Sequence, residues 1–312
     1  MTTLSKDLLV RPADIQDAEA IANLLALCEN TVEYIGYTTK DLYASWRVPE
    51  FNLATDAWVV VTQDEQIVGY AFVRDHHASI SIICENPAYS GQSIWPFLLQ
   101  KVEERAYQFL LADQLRRGIT LSTAFNDTHK IARQTVEQEG YALVHTAWRM
   151  EIVLEQKPEQ PQLPAGITFR TFIPGQDEHT VHELSQDAFQ ITEPFEHWEQ
   201  KFADENFDPT LWFLAIAENN VIGVTLGNIY KDAGWIWDVA VHSTWRRKGV
   251  GMALLQRAFR EFFRRDIRSI GLDVNAENPT GATHLYHRTG MHIAQKYYTY
   301  HKNLVIDKER KV

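Results

Sequence analysis

The chain repeats itself at the length of a domain, and this limits its possible folds more than any single motif does. LLVRPADIQDAEAIANLL (residues 8–25) and ITFRTFIPGQDEHTVHELS (167–185) each read as a short strand carrying an arginine, then a turn, then a helix. AWVVVTQDEQIVGYAFV and LWFLAIAENNVIGVTLGNIY follow, each as two alternating apolar runs around a polar turn. Asp64 and Glu65 supply one turn and Asn219 and Asn220 the other, with Gly69 and Gly223 at matching places beyond. A strand, a loop, a long amphipathic helix and another strand come next in both. Each half then carries a glycine (Gly140, Gly290) and closes on a strand, TAWRMEIVL or YYTYHKNLV. The period is that of a duplicated α/β unit and not of a solenoid. A mixed α/β chain of two similar domains is expected, 1–154 and 167–312. Between them EQKPEQPQLPAG (155–166), rich in Pro and Gln, reads as an extended linker.

The chain of 312 residues is long enough for two such domains, and 45% hydrophobic residues are enough to fill two cores. A net charge of −11 argues against nucleic acid as a partner, because phosphate binding needs a basic face. The start MTTLSKDLLVRPAD has no apolar signal core and no run reaches membrane-spanning length, so a soluble cytoplasmic protein is expected. Cys28 and Cys84 each lie in apolar runs and read as buried free thiols.

The chemistry concentrates in RRKGVG, Arg246 to Gly251, between the strand-like WIWDVAV and the helical MALLQRAFREFF. A helix N-terminus leaves backbone N–H groups unpaired and carries partial positive charge. Glycines there let the main chain approach a phosphate, so the hexamer fits an oxyanion such as a pyrophosphate. A solvated basic turn is the bland alternative. The nucleotide-triphosphate loop is absent, and the dinucleotide fingerprint lacks its third glycine, with Leu254 in that place.

The order of motifs resembles the GNAT acetyltransferase superfamily. A strand is followed by Arg246-Arg247-Lys248-Gly249-Val250-Gly251, then by a further strand, Asn278, Leu285-Tyr286 and Gly290. The resemblance implies an acetyl-CoA site and two GNAT-like domains, each a mixed, mostly antiparallel sheet flanked by helices. It implies that Val239 and Val241 bind the pantetheine arm and that the N–H groups of Lys248, Gly249, Val250, Gly251 and Met252, beside Arg246 and Arg247, hold the pyrophosphate. Asn278 would contact the arm and Tyr286 would be the general acid. No metal is implied. The acceptor would be a primary amine of a small molecule that attacks the thioester directly, in a monomer or homodimer. A non-catalytic acyl-CoA-binding module is the competing reading.

The general base is less determined. Strand alternation puts Trp235, Trp237, Val239 and Val241 on one face, and Asp238 and His242 on the other. Asp238 is the nearest carboxylate, but its parity turns it away from the substrate side unless a bulge re-aims it. His242, Asp273 through water, or no protein base at all are alternatives.

The first half lacks this chemistry. Ser90, Ser93 and Trp95 stand where Arg246, Gly249 and Gly251 stand, and Val136 replaces Tyr286. An indole in place of Gly251 is expected to block a pyrophosphate, leaving a degenerate repeat.

Overall fold

In chain order the elements of the first half are β1 (Leu8–Pro12), α1 (Ala18–Leu27), α2 (Thr39–Trp46), α3 (Leu53–Asp56), β2 (Ala57–Thr62), β3 (Ile67–Arg74), β4 (Ser79–Glu85), α4 (Ile94–Ala112), β5 (Gly118–Asn126), α5 (Lys130–Gln138) and β6 (Ala142–Val153). The second half continues with β7 (Ile167–Thr171), α6 (Glu178–Phe189), α7 (Phe195–Trp198), β8 (Phe213–Ala217), β9 (Asn220–Tyr230), β10 (Ala233–Val241), α8 (Val250–Arg264), β11 (Ser269–Asn275), α9 (Ala282–Arg288) and β12 (His292–Val305). The computed structural model describes residues 2–28, 38–49, 51–74, 79–112, 118–203, 207–230, 232–278 and 280–306.

The chain forms two compact units, and their membership differs from the halves of the sequence. Unit 1 is Met1–Ala147 with Gln295–Val312, and unit 2 is Trp148–Ala294. In unit 1 the strand order is β1-β2-β3-β4-β5-β12. The chain's last strand runs antiparallel to β5, from Tyr297 against Asn126 to Val305 against Gly118. In unit 2 the order is β6-β11-β10-β9-β8-β7, so the closing strand of the first half joins the second unit's sheet. Period-two alternation identifies both segments as strands, but it does not say which sheet each one joins.

The repeat is visible in matching details within each unit. Arg11 donates to both Asp17 oxygens at 2.7 and 2.8 Å, and Arg170 grips Asp177 in the same two-pronged way. A Cβ on Gly69 would meet Ile94 of α4 at 2.6 Å, and one on Gly223 would meet Val250 and Leu254 of α8 at 3.1 Å. Each glycine therefore allows a long helix to lie close on its sheet. The second hairpin turns at Glu218 and Asn219, both in the left-handed region, one residue earlier than the sequence suggests.

In unit 2, α8 buries Val250, Leu254, Leu255, Ala258, Phe259 and Phe262 along one stripe against β8, β9 and β10. Arg264 and Arg265 sit at its C-terminal end, where cations suit the helix dipole. The opposite face of β9 and β10 receives α6.

One sequence expectation fails in unit 1. Cys28 and Cys84 are buried, as expected, but they are joined as a disulfide with Cα atoms 6.5 Å apart. Two apolar runs 56 residues apart carry no sequence signal of their pairing; the packing of α1 on β4 brings them together.

Candidate active site

The last parallel pair between β10 and β11 is Trp235 with Gly271; beyond it the strands part. A cavity of about 1260 Å³ opens there, entirely within unit 2. Trp237, Val239 and Val241 of β10 line one side, with Asp273, Val274 and Asn275 of β11 on the other. The start of α8 and the residues around α9 complete the wall. This volume exceeds that of drug-sized ligand pockets and suits a long, flexible ligand.

The loop before α8 has the backbone that anion binding needs. Arg247 and Gly249 are both left-handed (φ 62° and 87°), and Gly249 is the N-cap with no side-chain cap. The first-turn N–H groups are therefore open to a ligand. Gly251 is a tight position: an added Cβ would lie 3.1 Å from Leu285 of α9. Arg246, Arg247, Gly249, Val250, Gly251 and Met252 all contribute to the wall. Lys248 does not; its ammonium stacks over Trp245 at 4.7 Å. The Arg246 guanidinium donates to the carbonyls of Val241 (3.1 Å) and Ala188 (3.3 Å), bracing the loop against β10 and α6. Asn278 lines the cavity while its side chain accepts from the Thr280 N–H at 2.9 Å, which fixes the turn into α9.

Tyr286 is buried in the wall. Burial, and secondarily the charge of Asp238, push its phenol pKa well above the ordinary value, so the hydroxyl keeps its proton at neutral pH.

A bulge rearranges β10. β9 runs regularly opposite it, but the register shifts between Ile236 and Asp238, leaving Trp237 as the extra residue. Gly223, Gly227 and Gly234 face α8. Their partners in the register put Val239, Val241 and Ile236 on that side, and Trp235, Asp238 and Ala240 on the α6 side. The expected common face for Trp235, Trp237, Val239 and Val241 is thus broken. Asp238 is not part of the cavity wall, and its carboxylate lies 3.6 Å from the Lys201 ammonium. Burial raises the Asp238 pKa and Lys201 only partly offsets this.

Unit 1 keeps the loop backbone without the open site. Gly91 and Ser93 are left-handed, as Arg247 and Gly249 are. Glu85, which stands where Val241 stands, accepts from the Trp95 N–H and from the Ser90 hydroxyl. Pro96, next in the turn, has no N–H to offer. The Trp95 indole is buried against Phe125 and His129, filling the space beyond the helix start.

Sequence reasoning missed Glu85, Arg149 and the linker residues Glu159, Gln160 and Gln162, which line the cavity with Gln256. A polar, aperiodic linker gives no signal of what it covers.

The chain that carries this site is similar to known proteins. A family model for the acetyltransferase (GNAT) family matches residues 178–291. The structure of a GCN5-related N-acetyltransferase from Sphaerobacter thermophilus is 32% identical, with a TM-score of 0.80 over 97% of this chain and 98% of that one. The chain belongs to the GCN5-related N-acetyltransferase family and is an acyltransferase. A tandem GNAT protein from the clavulanic acid biosynthesis pathway shares the fold at 16% identity, with a TM-score of 0.69 over 95% of this chain and 98% of that one. Among sequences, a mycothiol acetyltransferase of Cellulomonas flavigena is 29% identical over 51% of this chain, a match that spans only half (50%) of that protein. Another, from Thermobispora bispora, is 24% identical over 75% of this chain and 79% of its own length.

Proposed function

We propose that unit 2 transfers an acetyl group from acetyl-CoA to a primary amine of a small molecule, and that unit 1 carries no donor site. The observation that supports this most is the open first turn of α8 at the end of a large cavity walled by a buried, protonated tyrosine. In this reading the N–H groups of Lys248 to Met252 hold the pyrophosphate, with Arg247 beside them and Arg246 bracing the loop. Val239, Val241 and Asn278 border the pantetheine arm. The amine attacks the thioester carbon, and the departing thiolate takes its proton from Tyr286. Asp238, on the α6 side of β10 beyond the bulge and electrostatically coupled to Tyr286, takes the amine's proton through water. The acetyl group passes directly, since Cys28 and Cys84 lie in unit 1 and are bridged. A small-molecule acceptor is supported by the names of the mycothiol acetyltransferase relatives, although identities of 24–29% do not carry their substrate over.

The test is thiol release from acetyl-CoA in the presence of an amine panel, for wild type and Tyr286→Phe. The variant is expected to lose about a hundredfold in kcat while binding acetyl-CoA as before. Unchanged transfer would remove Tyr286 from the chemistry.

A further inference from the structure

The cleft has a carboxylate whose position is fixed by a residue from the first half of the sequence. On β11 the even residues Ile270, Leu272 and Val274 are buried, so Gly271, Asp273 and Asn275 face the other way. The Trp235 ring lies directly over Gly271, on the side away from α8. Arg149 of β6, almost fully buried, stacks its guanidinium over that ring at 5.3 Å. Its Nε donates to Asp273 Oδ1 at 3.2 Å, and its Nη2 reaches Oδ2 at 3.5 Å, the edge of hydrogen-bond range. Asp273 remains 34% exposed and lines the cavity that Tyr286 also lines.

Asp273 faces the cavity from the side of β11 away from α8, where an acceptor can reach it beside the donor site at the start of the helix. Among the described residues the other carboxylate in the wall, Glu159, comes from the linker, and the cationic or ionisable basic groups there are Arg246, Arg247, Arg288 and His284. Among the described residues the Asp273 carboxylate has one guanidinium partner, and the acceptor capacity left over is suited to an ammonium group.

We propose that Asp273 anchors the ammonium of a primary-amine acceptor as it enters, before its proton passes to the base and the neutral amine attacks, and that Arg149 is the positioning residue that holds Asp273 to this task. The proposal rests on the acetyl-donor reading above and specifies its acceptor side. Arg149 fixes the carboxylate's direction, and its charge opposes the effect of burial, which alone would favour the neutral acid. The first repeat thereby contributes to the chemistry of the second unit through one strand. Trp235 acts as the platform for Arg149.

The experiment uses the full chain, with glucosamine, cadaverine and phenethylamine as probe amines and acetyl-CoA binding measured in parallel. Asp273→Asn, nearly isosteric, is expected to raise KM for the best probe about tenfold or more, with acetyl-CoA affinity unmoved. Arg149→Met should raise the same KM, and Arg149→Lys should recover much of it. A purely structural role would lower stability in both Arg149 variants without moving KM relative to kcat. An unchanged KM in Asp273→Asn would overturn the anchor. So would failure of every probe to saturate a wild-type protein that binds acetyl-CoA. Failure of acetyl-CoA to bind would instead overturn the reading beneath it.

Discussion

Glu85 Oε2 accepts the backbone N–H of Trp95 at 3.0 Å, so the first repeat carries its own anion at the turn where the second repeat leaves its N–H groups open. The side chain does internally what a ligand phosphate does at a helix start. Val241 occupies the same place in the second repeat and has no charge to offer.

This cap has a pH signature. Burial raises the Glu85 pKa, and the bonds from Ser90 and Trp95 do not fully offset it. The folded state therefore binds this proton more tightly than the unfolded chain, and Glu85's contribution to stability falls as pH rises through the raised pKa. Glu85→Gln keeps an acceptor for Trp95 and removes the titration. Thermal melts from about pH 4 to about pH 7 should show the variant gaining on wild type as pH rises. Parallel curves would refute the assignment.

The close contact of Trp235 with Gly271 predicts a costly methyl. A Cβ on Gly271 would lie 2.4 Å from the indole, which must then shift and take Arg149's support with it. Gly271→Ala should cost about 1–3 kcal/mol by denaturant unfolding, and an undiminished midpoint would mean that the ring moves freely.

Burial raises the Asp238 pKa, and Lys201 offsets part of that rise. If Asp238 is the base, Lys201→Met should move the acid limb of the kcat/KM profile to higher pH, because the carboxylate must be ionised to accept a proton. An unmoved limb would assign that limb to another group.

The sequence pattern disclosed a good part of this molecule. The duplicated units, the hairpins and the loop at Arg246 to Gly251 are local features, written in periodicity and in glycines whose conformations have a single use. What escaped depends on distance or on one extra residue. The membership of β6 and β12 in the two units is a choice that strand alternation alone does not make. The bulge at Trp237 inserts one residue and reverses the facing of everything before it, so that parity counting groups the wrong side chains. Glu85 ends β4, and its role appears only once the turn at Trp95 folds back upon it.

The Cys28–Cys84 bridge also carries a prediction. It closes a loop of 56 residues, for which chain entropy gives about 4 kcal/mol. Unfolding in denaturant with and without reductant should differ by about that amount, and neither thiol should react in the unfolded, unreduced protein. Two reactive thiols there would restore the free pair expected from the sequence. A cytoplasmic setting would require the bridge to persist against reduction, and its burial would help it do so.

The most direct measurement is isothermal titration of acetyl-CoA into wild type and into Gly251→Trp, which copies Trp95 of the first repeat into the second. Binding at one site per chain, lost in the variant, is the expected result. Two sites per chain, or undiminished binding in the variant, would contradict a single donor site at the start of α8.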